Sequence, residues 1–170
     1  MLVDYEIEFM IGIYSMVEPF APELLNPASL DIRIGNSIVI EDETQDDITK
    51  TIDISERSEE EPYWVPPGGW LLASSLEVFN LPAIVAAEFK LKSSRAREGW
   101  GHSLAGHCDP GWHGSVLTME LKNYRERKRL PIYPGLKIGQ MIFHLTSTPR
   151  HNYSKTGRYN GDRSVSPSKC

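Results

Sequence analysis

Between Lys92 and Asn123 the chain reads KSSRAREG, then AGHCDPGWHG, then TMELKN. Ser93, Ser94 and Arg97 offer two hydroxyls and a guanidinium, whose planar fork of donors suits the oxygens of a phosphate. Asp109-Pro110-Gly111-Trp112 has the composition of a turn. Such a turn can fix a carboxylate and an indole at a pocket edge, one for a sugar hydroxyl and one as a wall. Glu120 stands between Met119 and Leu121 in an apolar stretch. A carboxylate placed there suits proton transfer, because burial raises its pKa toward the working pH. Gly139-Gln140 sets an amide beside a flexible backbone, which favours close approach to a ligand. Together these residues point to chemistry on a phosphorylated small molecule.

Other chemistries lack their motifs. There is no GxxxxGK[ST] loop and no GxGxxG, so phosphate binding rests on Ser93, Ser94 and Arg97. His102, His107 and His113 fit neither HExxH nor a zinc-finger spacing. The HxE and PCxxC signatures of zinc-dependent nucleobase deaminases are both missing. Two cysteines, Cys108 and Cys170, are too few for a disulfide framework or a cysteine zinc site.

The elements that must position these groups read as mostly β. LDIRIGNSIVI (Leu30–Ile40) alternates apolar and polar residues like a half-buried strand. GWLLASSLEVF, AAEFKLK, SVLTMELKN, LPIYPG and KIGQMIFHL read as further strands, with breaks at Asn80–Pro82, Asp109–Gly111 and Pro134–Gly135. DYEIEFMIG predicts one short helix, and KSSRAREG reads as a strand end running into a polar turn. Short, evenly spaced strands suggest a barrel or jelly roll rather than an α/β sheet. In the TMEL strand, Met119 and Leu121 must face away from the side that carries Glu120.

A chain of 170 residues is one domain by length, with enough residues for a real core. No apolar run reaches the ~20 residues of a membrane span, and Asp4, Glu6 and Glu8 stand where a signal peptide carries positive charge. A cytoplasmic location without membrane attachment is the expectation. The net charge of −5 hides polarity, because residues 41–61 hold ten acids against Lys50 and Arg57 while the C-terminal third is basic. The acidic stretch reads as a solvated loop or hairpin excursion. Stacking aromatics are sparse in the basic part, and the overall charge repels a duplex, so one polyanionic ligand is favoured over nucleic acid. Thr148–Cys170, rich in Ser, Gly, Arg and Asn, is expected to be mobile until something orders it.

The order of these pieces resembles the dCTP deaminase branch of the dUTPase superfamily almost end to end. PFAPELLNPASLDIRIG (19–35), PPGGWLLASSLEVFNLP (66–82), KSSRAREG, AGHCDPGWHG with TMELKN, LPIYPGLKIGQMIF (130–143), and Tyr153 with GRYNGDRSVSPSK (157–169) are similar to its successive motifs. The resemblance implies a distorted jelly-roll or β-barrel subunit of the dUTPase-like (β-clip) type, forming a homotrimer with sites between subunits. Residues 1–152 would form the β domain, with the acidic loop near 41–61, and 153–170 a flexible C-terminal lid. Ser93, Ser94 and Arg97 would hold the triphosphate, with Lys92 and Gln140 joining them. Asp109 and Trp112 would bound the deoxyribose and base, and Tyr153 and Arg158 would close over the nucleotide. Magnesium would travel with the triphosphate, held by phosphate and water rather than by a protein metal site. Glu120 occupies the catalytic position.

The activity so implied is zinc-independent hydrolysis of dCTP to dUTP and ammonia. The alternatives are a bifunctional enzyme that carries dUTP on to dUMP and pyrophosphate, and a non-catalytic nucleotide-binding trimer. Two spacings depart from the pattern. Arg97 to Ala105 is one residue short, and Asp109 to Glu120 one residue long, so a bulge after Gly114 is expected to keep Glu120 inward. Asp162 stands where the family commonly has glutamine, and substrate choice could extend to a modified cytosine nucleotide.

Overall fold

One long strand crosses from one half of the molecule to the other, and the remaining elements are arranged around it. A computed structural model of the chain describes residues 1–42 and 49–169. Glu43, Asp46 and Asp47 of the acidic stretch lie outside the described residues, as does Cys170. The chain opens with α1 (Asp4–Tyr14), β1 (Val17–Glu18), a 3-10 turn at Pro22–Leu24, and β2 (Leu25–Asn26). The long strand is β3 (Ser29–Glu41), followed by β4 (Thr49–Asp53), β5 (Tyr63–Val65), β6 (Trp70–Asn80) and β7 (Val85–Leu91). Then come α2 (Ser93–Glu98), β8 (Trp100–His102), β9 (His107–Cys108), β10 (His113–Asn123), β11 (Leu130–Ile132), β12 (Lys137–Leu145) and α3 (Tyr153–Thr156).

Among the described residues the main sheet runs β8-β10-β6-β3-β12-β7-β9, with β1 on β6 and both β2 and β4 on β3. Every pairing is antiparallel. β5 and β11 make a separate two-stranded sheet. The mostly β architecture expected from the sequence is what the chain adopts. β3 pairs with β12 through residues 30–33 and with β6 through residues 34–40. The change of partner falls at Gly35, where a Cβ would lie 2.5 Å from the Ser75 carbonyl oxygen. Only a residue without a side chain permits that approach. A register shift between Ile34 and Ile38 accompanies it and curls the sheet.

Alternation along the strands sends Leu30, Ile32, Ile34, Leu71, Ala73, Phe79, Met119, Leu121, Met141 and Phe143 into one buried core. α1 covers part of that core with Ile7, Met10 and Ile11, spaced to share one helical face. Its first turn is closed by the Val3 N–H donating to Glu6 Oε2 at 3.0 Å. The acidic stretch becomes a hairpin where it is described, since β4 pairs with β3 from Ser37–Asp53 to Glu41–Thr49. Among the described residues no helix is long and apolar enough to cross a membrane.

One local expectation is corrected. KSSRAREG is not a strand end running into a turn, because Ser93–Glu98 form α2. Arg95, Ala96, Arg97 and Glu98 are good helix formers, and the Arg95 guanidinium donates to both Glu98 oxygens at 2.9 and 2.8 Å. Gly99, at φ 115, terminates the helix in the left-handed region.

Candidate active site

β10 carries Glu120 between two strands, opposite Leu72 of β6 and one residue before Leu121, which faces His102 of β8. Met119 and Leu121 are fully buried in the core, so alternation turns Glu120 to the other face, as expected. β10 reaches that register through two irregularities against β6, one between His113 and Ser115 and one between Val116 and Thr118. The first lies at Gly114, whose φ of 67 marks a bulge after the Asp-Pro-Gly-Trp turn. The turn itself closes with the Trp112 N–H donating to the Asp109 carbonyl at 3.2 Å and Gly111 at φ 86.

On this face lies a cavity of about 580 Å³. Glu120, Asp109, Trp112 and Tyr153 all line it, beside Trp70, Leu72, Val116, Leu117 and Thr118. Apolar walls with a few polar groups suit a nucleoside-sized ligand. The Trp112 ring stacks on Phe79 with centroids 5.4 Å apart, and its indole N–H donates to the Tyr159 carbonyl at 3.1 Å. The Glu120 side chain is 27% exposed, yet its Oε2 is buried. Asp109 is more open at 56%, with His107 Nε2 at 3.4 Å from its Oδ1. Cys108, also in the wall, is buried, and burial pushes its thiol up to about 12, so it stays neutral. Burial likewise raises the Tyr153 phenol, and the neighbouring Asp109 charge adds to the effect.

The C-terminal segment supplies the remaining wall through Tyr159, Asp162, Ser166 and Ser168. It is seated on β10: the Val116 N–H donates to the Asp162 carbonyl at 2.8 Å, and the Ser166 N–H to Thr118 Oγ1 at 3.2 Å. Ser115 Oγ donates to the Tyr159 carbonyl at 2.7 Å. Asp162 is compensated by Lys169, whose Nζ lies 2.6 and 2.7 Å from its two oxygens, and by the Ser166 hydroxyl at 2.9 Å. The Arg158 side chain is exposed and does not line the cavity of its own chain, while its carbonyl accepts from Lys169 Nζ at 3.1 Å.

The expected phosphate group collects elsewhere on the same chain. Ser93, Ser94 and Arg97 are exposed on α2, and Gln140 sits on β12 with Asp31 and Lys90 as cross-strand neighbours. Gln140 Oε1 accepts from Ser29 Oγ at 3.1 Å. Lys92 is ion-paired with Asp31 Oδ1, which also accepts from Asn26 Nδ2 at 2.8 Å. None of these five lines the cavity. Sequence reasoning also passed over His102, whose Nε2 is 3.3 Å from Glu120 Oε2. In the sequence His102 is one of three histidines without a metal spacing. Among the described residues no three His, Cys, Asp or Glu side chains converge as a metal-ligand set.

A dCTP deaminase-like family model matches residues 2–146. The chain belongs to the dCTP deaminase-like family. It is 36% identical to a protein of Mycobacterium leprae named dCTP deaminase, dUMP-forming, over 98% of this chain and 92% of that one. It is 38% identical to a protein of the same name from Salinispora tropica, over 90% of this chain and 85% of that one. In three dimensions it is similar to a 2′-deoxycytidine 5′-triphosphate deaminase from Agrobacterium tumefaciens, with a TM-score of 0.67 and 17% identity. That match covers 85% of this chain, and the chain spans about half (48%) of that structure's length. A mutant dUTPase from phage phi11 of S. aureus, described with a structural Mg(II) ion, matches with a TM-score of 0.50 and 13% identity, over 74% of this chain and 81% of that one.

Proposed function

We propose that the chain hydrolyses dCTP to dUMP, pyrophosphate and ammonia, within a trimer whose sites lie between copies. The observation that carries this reading is that Glu120 and Asp109 line one largely apolar cavity, whose third carboxylate, Asp162, is ion-paired with Lys169. The relatives named dUMP-forming support it over a reaction that stops at dUTP, the product first expected from the sequence.

The chemistry divides between the two groups. Glu120 takes a proton from water as its oxygen adds to C4 of cytosine, and delivers that proton to N3. Glu120 then moves the proton of the new C4 hydroxyl to N4, so that the C4–N4 bond breaks, ammonia leaves and the C4 carbonyl of uracil forms. Without a zinc ion to acidify water, a positioned base in a dry pocket must do this work, and such acid–base catalysis contributes roughly 10²–10⁴-fold. Asp109 orients a second water at the α-phosphorus, where the bond to the bridging oxygen breaks and pyrophosphate leaves. Its greater exposure suits a group that meets the polar end of the nucleotide. Magnesium, arriving with the triphosphate, shields its negative charge.

Ser93, Ser94, Arg97 and Gln140 stand outside the cavity of their own chain. In this reading they grip the triphosphate bound in the cavity of a neighbouring copy, with Lys92 held in place by Asp31. The C-terminal segment, from Tyr153 onward, closes the pocket as a lid.

The test is product analysis after incubation with dCTP and magnesium, and separately with dUTP. Ammonia, dUMP and pyrophosphate from dCTP, with little free dUTP, are expected. Accumulating dUTP without pyrophosphate would return the reading to a deaminase alone, and absence of ammonia would overturn it. Glu120→Gln is expected to abolish ammonia release while dCTP still binds in calorimetry. A nucleotide-binding trimer without catalysis would show no release from the wild type either.

A further inference from the structure

Behind Glu120, away from the cavity, stands a histidine that the proposed reaction leaves unused. His102 ends β8 directly across from Leu121, and its side chain is only 5% exposed. It does not line the cavity. Its Nε2 is 3.3 Å from Glu120 Oε2. The ring is held from two further directions. The Leu104 N–H donates to Nδ1 at 3.3 Å, and Phe89 packs edge-on at 4.8 Å between centroids.

That pattern sets the tautomer. A ring nitrogen that accepts a backbone N–H carries no proton, so the neutral imidazole carries its proton on Nε2, the nitrogen that faces the carboxylate. The backbone of the loop is arranged to the same end. Leu104 adopts φ 62, a conformation disfavoured for a residue with a Cβ, while its own side chain is 87% exposed and gains nothing from burial there. The adjacent Ser103 N–H donates to the Glu120 carbonyl at 3.2 Å, tying this loop to the residue that the imidazole faces.

Glu120 Oε2 is buried and makes no hydrogen bond, although the imidazole Nε2 is only 3.3 Å away. A buried carboxylate oxygen without a partner is unfavourable, and a small rotation of either side chain would complete the bond. Catalytic hydrogen bonds in unliganded proteins are commonly this loose and tighten when substrate arrives.

We propose that His102 is the positioning residue of Glu120: its Nε2–H holds Oε2, so that the other carboxylate oxygen is presented to the attacking water and to N3 of the base. The proposal rests on the deamination reading, but its contact can be tested without it. Nitrogen-detected NMR of the wild type at neutral pH is expected to show His102 as the Nε2–H tautomer, with the Nε2 resonance shifting in Glu120→Gln. An Nδ1–H tautomer, or no shift, would overturn the pairing whether or not the protein deaminates anything. Kinetics then test the role. His102→Phe keeps a ring against Phe89 but loses the donor, and misplacing a base on this scale lowers kcat on the order of 10²-fold with KM little changed. His102→Gln, which restores an N–H near the Nε2 position, is expected to recover most of that loss. A wild-type kcat in His102→Phe would refute the role. So would equal losses in both variants that follow a fall in thermal midpoint, which mark a packing residue only. If the wild type releases no ammonia from dCTP, the deamination reading fails, and the NMR result alone decides the pairing.

Discussion

Replacing Trp112 by phenylalanine isolates one bond between the body of the protein and its C-terminal segment. The substitution keeps an aromatic ring to stack on Phe79 but removes the indole N–H that donates to the Tyr159 carbonyl. That carbonyl also accepts from Ser115 Oγ at 2.7 Å, so the variant does not orphan a buried acceptor. The cost is therefore that of one neutral hydrogen bond, about 0.5–1.5 kcal/mol, rather than a full desolvation penalty. Because Trp112 lines the cavity, the space left by the smaller ring opens onto the cavity instead of becoming a sealed void. At RT of about 0.59 kcal/mol this raises the undocked-to-docked ratio of the segment roughly 2- to 13-fold. The Gly161 N–H, donating to the His113 carbonyl, and the Val116 N–H, donating to the Asp162 carbonyl, report it directly. Their hydrogen exchange is expected to accelerate by that factor while core amides such as Met141 keep their rates. Unchanged exchange at Gly161 and Val116 would refute the idea that this bond holds the segment. Acceleration spread evenly over all amides would show a loss of global stability instead.

Three further outcomes follow from the same geometry. Glu77 is fully buried and accepts from both the backbone N–H and the Nε of Arg33, at 3.0 and 2.7 Å, so Glu77→Ala takes the carboxylate from a guanidinium whose side chain is 20% exposed. Breaking such a pair costs roughly 3–5 kcal/mol, which at about 2–4 °C per kcal/mol lowers the thermal midpoint by about 6–20 °C in calorimetry. Arg97→Ala is expected to weaken dCTP binding roughly 10- to 150-fold in titration calorimetry, the equivalent of one charge-assisted hydrogen bond; an unchanged Kd would remove Arg97 from the site. Cys108, buried and with its thiol pushed up to about 12, presents no thiolate near neutral pH. Peptide mapping after alkylation at about pH 8 should find it unlabelled in the folded protein and labelled in denaturant.

The strands Leu30–Ile40 and Lys137–Leu145 were legible because most of their apolar residues alternate onto a buried face, although β3 breaks step between Ile34 and Ile38. The turns at Asp109–Gly111 and Pro134–Gly135 were legible from their residues, and Gly111 and Gly135 do take positive φ. α2 escaped because six residues are too few to display a 3.6-residue period. β8 and β9, of three and two residues, exist because β10 and β7 lie alongside to pair with them, which no local pattern encodes. Glu77 and Glu120 pose the sharper difficulty. Both are single glutamates in apolar strands, yet Glu77 is consumed by Arg33, 44 residues away, while Glu120 opens onto the cavity. Only the surrounding motif order separated them. His102 was invisible as a partner for Glu120 because its relevance depends on which residue lies opposite it in the sheet.

β3 has one more consequence, for how the molecule comes apart. Its residues 30–33 are hydrogen-bonded to β12 and its residues 34–40 to β6, so a single stretch of backbone is a central rail for both halves of the sheet. Neither half can melt while the other stands without tearing the ladder at Gly35. Denaturant unfolding should therefore be all-or-none, with secondary-structure and tryptophan signals lost at one midpoint, and a cut near Gly35 should yield fragments that fold only together.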